Sequence, residues 1–241
     1  MKPEGLVVHG RSVKGHNHVK NDDRFTVAAL DEENFLIGVS DGLGGHPGGD
    51  VAAEIVVDCL ISIKINIDDR SILLKRAITQ ADKTIRSQIP KNPDLTGMGA
   101  TATALIINNG WGSWAHIGDS RLYLIRNNDI RKITRDHSYI QGFIDSGDLS
   151  AKEAENHPMC NVLNQCVGCV VSGVETGRFK IHLGDILIIC SDGLYRSVEE
   201  TKIIELIIKS QNISQCVDQL IDASLQDAIC DDVTVTLAMY Q

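Results

Sequence analysis

The chain has 241 residues, 43% of them apolar, and 23 basic against 32 acidic side chains give a formal charge of −9. That length can bury a core without metal or disulfide staples, and the ordinary apolar and charged fractions exclude wholesale disorder. Acid excess with only 4% aromatics argues against nucleic acid, whose phosphates attract basic surfaces and whose bases stack on rings.

The first residues, Met1-Lys2-Pro3-Glu4-Gly5, carry no apolar run of signal-peptide length, and no run approaches the roughly 20 residues that span a bilayer. The expectation is a cytoplasmic protein with no membrane partner. Strands are expected over 25–29 and 35–40, then a helix over 50–63 with Val51, Ile55, Val56 and Leu60 on one face. A second helix, over 71–89, opens on a Ser cap and repeats Leu74, Ala77, Ile78, Ala81 and Ile85. Strands over 102–107 and 112–117 are joined by Asn108-Asn109-Gly110, a tight hairpin signal, and a further strand covers 122–126.

The stretch 137–172 differs: His137, His157-Pro158 and many small polar residues read as an inserted flap. Beyond it come a strand over 186–190, helices near 198–210 and 214–225, and a closing strand over 232–239. Strands in hairpins with helices in pairs between them predict an α+β layered fold instead of repeated βαβ units. No linker or internal repeat is visible, so residues 1–241 read as a single domain.

Seven cysteines, at 59, 160, 166, 169, 190, 216 and 230, are odd in number and suit a reducing compartment better than a disulfide framework. His157-x-x-Cys160 followed by Cys166-x-x-Cys169 could suit tetrahedral zinc. The five residues between the pairs make a short loop, and the surroundings of Cys166 and Cys169 favour ordinary packing.

Aspartates recur at the ends of apolar strands. Residues 35–40 run into Asp41-Gly42-Leu43-Gly44-Gly45-His46, residues 114–117 into Gly118-Asp119-Ser120-Arg121, and residues 186–191 into Asp192-Gly193-Leu194. Asp231-Asp232 opens the last strand, and Asn21-Asp22-Asp23 precedes the strand over 25–29. A strand end is a rigid mount, and Gly after Asp lets carboxylate and backbone address one cleft. Converging carboxylates repel one another unless cations sit between them, and Mg²⁺ or Mn²⁺ takes such oxygens. The glycines of 42–49 lack a Gly-Lys-Ser/Thr ending or G-x-G-x-x-G spacing, so a nucleotide loop is not expected. Asp22, Asp23, Asp41, Asp119, Asp192, Asp231 and Asp232 make up seven of the nine excess negative charges, which points to a local cation site.

Taken in order, these residues resemble the metal-dependent (type 2C, or PPM) serine/threonine protein phosphatases in their compact bacterial form. The resemblance rests on Asn21-Asp22-Asp23, Ser40-Asp41-Gly42-Leu43-Gly44-Gly45-His46, Gly99-Ala100-Thr101-Ala102 and Ile117-Gly118-Asp119-Ser120-Arg121-Leu122-Tyr123. It continues through Thr134-Arg135-Asp136-His137-Ser138, His157-Pro158, Ser191-Asp192-Gly193-Leu194 and Asp231-Asp232-Val233-Thr234-Val235.

The resemblance implies a four-layer α-β-β-α sandwich of two antiparallel sheets, with two Mn²⁺ or Mg²⁺ ions at one edge and a third in bacterial members. It implies that Asp41 bridges the two ions, that the Gly42 carbonyl binds one, and that Asp192 and Asp231 complete the other. Asp22 and Asp23 would hold metal-bound waters, and Asp119 matches the third-metal residue. The implied reaction is direct attack of water on the phosphorus of phosphoserine or phosphothreonine in proteins, with a serine/threonine kinase as counterpart and the chain acting as a monomer.

Three departures stand out. Asp231-Asp232 replaces the family's Asp-Asn, Asp22 is shorter than the usual Glu, and His18 stands where many members carry a phosphate-clamping Arg, with Lys20 and Lys14 nearby. His18 and Lys20 are the candidate phosphate contacts. Two other readings compete: a catalytically silent phosphoprotein-binding module, disfavoured because every key acid is present, and a phosphatase of small metabolites.

Overall fold

The computed structural model describes residues 5–16, 18–44, 48–155, 157–169, 173–226 and 231–240. One sheet has the order β1 (Leu6–Val13), β10 (Val233–Tyr240), β9 (Ile186–Cys190), β6 (Arg121–Arg126), β7 (Asp129–Lys132). The other runs β2 (Arg24–Ala29), β3 (Phe35–Ser40), β4 (Ala102–Asn108), β5 (Trp111–Ile117), β8 (Glu175–Lys180). Every neighbouring pair in both sheets is antiparallel.

The side-chain period of two explains how the sheets stack. Along β3, Phe35, Ile37 and Val39 join a core between the two sheets, together with Leu105, Leu122, Leu187 and Ile189. Leu36, between them, points the other way, into a core shared with α1 (Gly49–Ile61) and α2 (Arg70–Gln88). Along β9, Ile188 and Cys190 face a third core with α5 (Asp192–Tyr195), α6 (Glu200–Lys209) and α7 (Ile213–Leu225). Three apolar interfaces therefore separate four layers, α-β-β-α. Both faces of the central strands are covered, so they read as continuous apolar runs instead of alternating ones. Each fully buried Leu or Ile adds about 1.5–3 kcal/mol, which makes these interfaces the main source of stability.

Local chemistry sets the element ends. Asn109 and Gly110 both take positive φ, 45° and 73°, as a two-residue hairpin requires. Asn127 and Asn128 (53° and 61°) repeat that turn between β6 and β7. The cap of α2 differs from expectation: the Asp69 carboxylate accepts the Ser71 N–H at 3.0 Å, so Ser71 lies in the first turn and Asp69 is the cap. The buried face of α1 is also rotated. Ala52, Ala53, Val56, Val57 and Leu60 are buried while Val51 is exposed, because the two small alanines permit closer approach. On α2 all five expected positions, Leu74 to Ile85, are buried.

The flap contains α3 (Tyr139–Ser146) and α4 (Ala151–Glu155), and residues 170–172 at its expected end lie outside the described residues. Its base closes through Tyr139 N–H to Val162 O (2.7 Å) and Asn164 N–H to His137 O (3.0 Å). Its far end joins the body where Ala100 and Val167 exchange both backbone hydrogen bonds, at 3.0 and 2.8 Å. Flanking that bridge, Cys166 and Cys169 form a disulfide, in place of the unpaired packing expected of them. The three-residue spacing and the turn at Gly168 (φ 91°) bring their α-carbons to 5.3 Å. Cys59, Cys160, Cys190 and Cys216 are free, and Cys230 lies outside the described residues.

Candidate active site

The candidate carboxylates lie where strands of both sheets end at one edge. At the end of β3, the Asp41 N–H donates to Thr101 Oγ1 (2.9 Å) and the Asp41 carbonyl accepts the Thr101 N–H (2.8 Å). Thr101 Oγ1 is in turn hydrogen-bonded to Ser120 Oγ at 2.7 Å, beside Asp119. The Gly-x-Thr-Ala segment thus serves as a clamp joining Asp41 to Asp119. Gly42 has no room for a side chain: a Cβ there would sit 2.3 Å from Gly49 O and 2.8 Å from Asp22 O. The chain can pass close to the Asp22 segment, accepted by Asp22 O at 3.2 Å, only as glycine.

Across the cleft, Ser191 links three segments. Its hydroxyl donates to Asp23 Oδ2 (2.7 Å) and accepts the Thr234 N–H (3.0 Å), and its own N–H donates to Thr234 O (3.0 Å). Asp192 follows directly and heads the short helix α5, so it sits at a helix N-terminus just beyond the strand. Gly193 passes so close to the last strand that a Cβ would lie 2.1 Å from Asp232 O.

The electrostatics follow from this crowding. Loss of water raises Asp41 well above the usual carboxylate range, and repulsion from Asp23, Asp192, Asp119 and Asp231 adds to it. Burial pushes Asp23 up to about 7; hydrogen bonds from Thr234 and Ser191 oppose the rise, and Asp192 and Asp232 reinforce it. Asp119 is also raised to about 7 by burial and by Asp192, against the pull of Arg196. Asp192 rises by loss of water, with Arg196 opposing and Asp231 adding. Five aspartates from five segments therefore share one field. Among the described residues, no three His, Cys, Asp or Glu side chains form a ready-made ligand cage. Asp41 and Asp192 are nonetheless close enough to share a hydrogen bond, which a proton held between two buried carboxylates allows.

Asp232, the extra carboxylate, is 4% exposed and has both oxygens engaged by backbone. It accepts the backbone N–H groups of Gly15 (2.8 Å) and Asp22 (2.7 Å) and lies 3.1 Å from His18 Nδ1. Its work is to hold the backbone at Gly15 and at Asp22. His18 Nε2 also approaches Asp231 Oδ1 at 3.7 Å; desolvation lowers its basicity, but Asp232 and Asp231 together leave it raised. Lys20 Nζ pairs with Asp50 and stands 3.6 Å from Asp22 Oδ1. Lys14 donates instead to the carbonyls of Gly15 and His18. Gly45, His46 and Pro47 lie outside the described residues.

Sequence reasoning missed Arg196. It stands one helical turn after Asp192, and its Nε lies 3.0 Å from Asp192 Oδ2 and its Nη2 3.5 Å from Asp119 Oδ2. The i,i+4 spacing of Asp192 and Arg196 was the available signal. Tyr195 OH reaches Asp119 Oδ2 at 3.4 Å, and its ring lies 3.4 Å beneath the Arg121 guanidinium, which itself pairs with Asp136.

The family model for protein phosphatase 2C matches residues 10–229. The chain belongs to the protein phosphatase 2C family. It is similar to a serine/threonine phosphatase stp of Listeria welshimeri, 32% identical over 235 residues that cover 94% of this chain and 93% of that one. It is also similar to the serine/threonine protein phosphatase PstP of Mycobacterium tuberculosis, 31% identical over 231 residues, 95% of this chain but 44% of PstP. A crystal structure of the PstP catalytic domain in complex with two manganese ions superposes with a TM-score of 0.85 at 29% identity, covering 97% of each chain. In this member of the family two paired antiparallel sheets carry the site, with a clamp at Asp232 and a cation at Arg196.

Proposed function

We propose that this chain is a Mn²⁺- or Mg²⁺-dependent phosphatase that hydrolyses phosphoserine and phosphothreonine on proteins. The observation that carries the reading is the shared field of Asp23, Asp41, Asp119 and Asp192, which burial and mutual repulsion, with Asp231 adding to the repulsion, drive toward protonation. A second supports the fit to a hard cation: Asp22 Oδ1 is buried and makes no hydrogen bond, and a cation, Lys20 Nζ, already stands 3.6 Å from it. The donor set is all oxygen, as these ions prefer.

Asp41, the Gly42 carbonyl, Asp192 and Asp231 are the proposed holders of two ions, with Asp22 and Asp23 on their waters and Asp119 toward a third. Divalent ions bound there supply the activation of water and the charge neutralisation that phosphoryl transfer requires. The protein's own part is orientation. Thr101 fixes Asp41 through two backbone-level hydrogen bonds, and Ser191 fixes Asp23. His18 and Lys20, on the rim of the cleft, are the proposed contacts for substrate phosphate.

Residues 1–241 are proposed to form one catalytic domain, active as a monomer in the cytoplasm and opposed to a serine/threonine kinase. No helix among the described residues is long and apolar enough to cross a membrane. The test is turnover of phosphoserine and phosphothreonine peptides by chelator-treated protein, with and without Mn²⁺. Asp41→Asn and Asp192→Asn are each expected to cut turnover by about 100-fold or more while leaving the fold intact. Full activity in either variant, or in excess chelator, contradicts the reading; faster turnover of small phosphorylated metabolites would reassign the substrate.

A further inference from the structure

Asp119 and Asp192 are bridged by a side chain that also touches the flap. Arg196 Nε lies 3.0 Å from Asp192 Oδ2, and its Nη2 lies 3.5 Å from Asp119 Oδ2. Nη1 of the same guanidinium donates to Asn161 Oδ1, and Nη2 stands 3.5 Å from the Cys160 carbonyl. Both flap contacts come from the turn that follows α4. The side chain is 19% exposed, so this is an interior contact and not a surface ion pair.

We propose that Arg196 is an exchangeable internal cation: it neutralises the Asp119–Asp192 pair and latches the flap, and a divalent ion entering between those carboxylates displaces it and releases the latch. The proposal rests on the phosphatase reading above.

Donor geometry supports it. The oxygens that Arg196 engages are Oδ2 of Asp119 and Oδ2 of Asp192, so the two cations compete for the same lone pairs. The neighbouring side chains are also tied to other groups. Tyr195 OH reaches Asp119, and its ring is held under Arg121, which is tied to Asp136 by contacts at 2.7 and 3.2 Å. Arg196 is the long, rotatable cation of the set, mounted at the C-terminal end of the short helix α5. Asn161 and Cys160 hold it only through its guanidinium, so its departure removes both flap contacts together. Arg196 is in this sense a positioning residue whose partner is the flap.

The test uses the full chain, stripped with chelator and titrated with Mn²⁺ by calorimetry, with hydrogen exchange followed over residues 157–164. In the native protein, the two tighter ions are expected to draw Asp192 from Arg196 while its contacts to Asp119 and Asn161 keep the flap closed. A weaker third is expected to speed exchange in that segment. Arg196→Met is expected to bind the third ion at least about tenfold tighter, with the other two little changed, and to show fast flap exchange before any Mn²⁺ is added. Arg196→Lys, which keeps the charge but not the fork, is expected to fall between the two. It also guards against misfolding of the Met variant. Asn161→Ala is expected to speed flap exchange while leaving the two tighter ions as they are. Unchanged or weaker third-ion affinity in both Arg196 variants overturns the proposal and leaves the phosphatase reading standing, as does flap exchange indifferent to Arg196. Absence of any Mn²⁺ binding by the native protein overturns both.

Discussion

The two flanks of the cleft meet the same difficulty, surplus negative charge at strand ends, with different materials. On the N-terminal flank, Asp232 is satisfied by the backbone N–H groups of Gly15 and Asp22, at 2.8 and 2.7 Å. On the flap flank, Asp119 and Asp192 are satisfied by the guanidinium of Arg196. A backbone amide is fixed by the chain that carries it and cannot be displaced without unfolding the loop. A guanidinium on a flexible stem can swing away. The first solution builds the site; the second leaves it able to exchange one cation for another.

The strongest way to break this contrast is Asp232→Ala. It strands two N–H groups that are now paired, and each buried orphan costs about 1–3 kcal/mol, so a loss of about 3 kcal/mol is expected by urea unfolding. Asp232→Asn keeps one acceptor oxygen and should cost about 1 kcal/mol. A neutral result for Ala would mean that the loop over 14–22 is held by other contacts, and the fixed character of that flank would be lost.

A smaller effect, and a sharper one, comes from pH in the presence of chelator. Asp23 and Asp119 stand at about 7 in the folded protein, against an ordinary 3.8. A carboxyl raised on folding favours the protonated form, so the stability it brings is present at low pH and lost as pH rises from about 4 through about 7. The unfolding midpoint of the metal-free protein should therefore fall as pH rises from about 4 to about 7. The change should be on the order of 2 kcal/mol, since the two groups share one field and do not add. With Mn²⁺ present the slope should flatten or reverse, because cations favour the ionised form. Identical slopes with and without Mn²⁺ would separate these carboxyls from any cation site.

Why the strand-end aspartates were readable while their partners were not follows from range. The segment 35–40 and the strand over 186–190 appear at their expected bounds because each is buried on both faces, and an apolar run bounded by Asp-Gly states that directly. β8, with the sequence Glu-Thr-Gly-Arg-Phe-Lys, was not expected: it lies at a sheet edge, alternates in burial, and is defined by pairing with β5 from more than 55 residues away. The same holds for β1, whose register is set wholly by β10 at the other end of the chain. Val51 was assigned to the buried face of α1 because its neighbours Ala52 and Ala53 carry little hydrophobic signal, although their smallness is what lets the helix close on its neighbours. Asp232 looked like an additional metal carboxylate. Only the fold shows that Gly15 and Asp22, more than 200 residues earlier in sequence, claim its oxygens.

Lys20 gives the smallest effect and the finest test of the contrast, since it is the long, mobile cation on the otherwise fixed flank. Its ammonium is shared between Asp50 and Asp22, and its side chain is 53% exposed. An exposed pair of this kind contributes at most about 1 kcal/mol, so Lys20→Met should leave the unfolding midpoint nearly unchanged. Its effect belongs in substrate binding. If Lys20 turns from Asp50 toward an incoming phosphate, its loss should raise KM for a phosphopeptide by about fivefold, with kcat unaltered and with the difference shrinking as salt is added. A fall in kcat at constant KM would instead place Lys20 among the groups that hold Asp22, and a parallel measurement on His18→Gln would show which of the two cations the phosphate meets. A null result in both would leave the N-terminal flank with fixed donors alone, and the phosphate would then be held by the cation-filled centre.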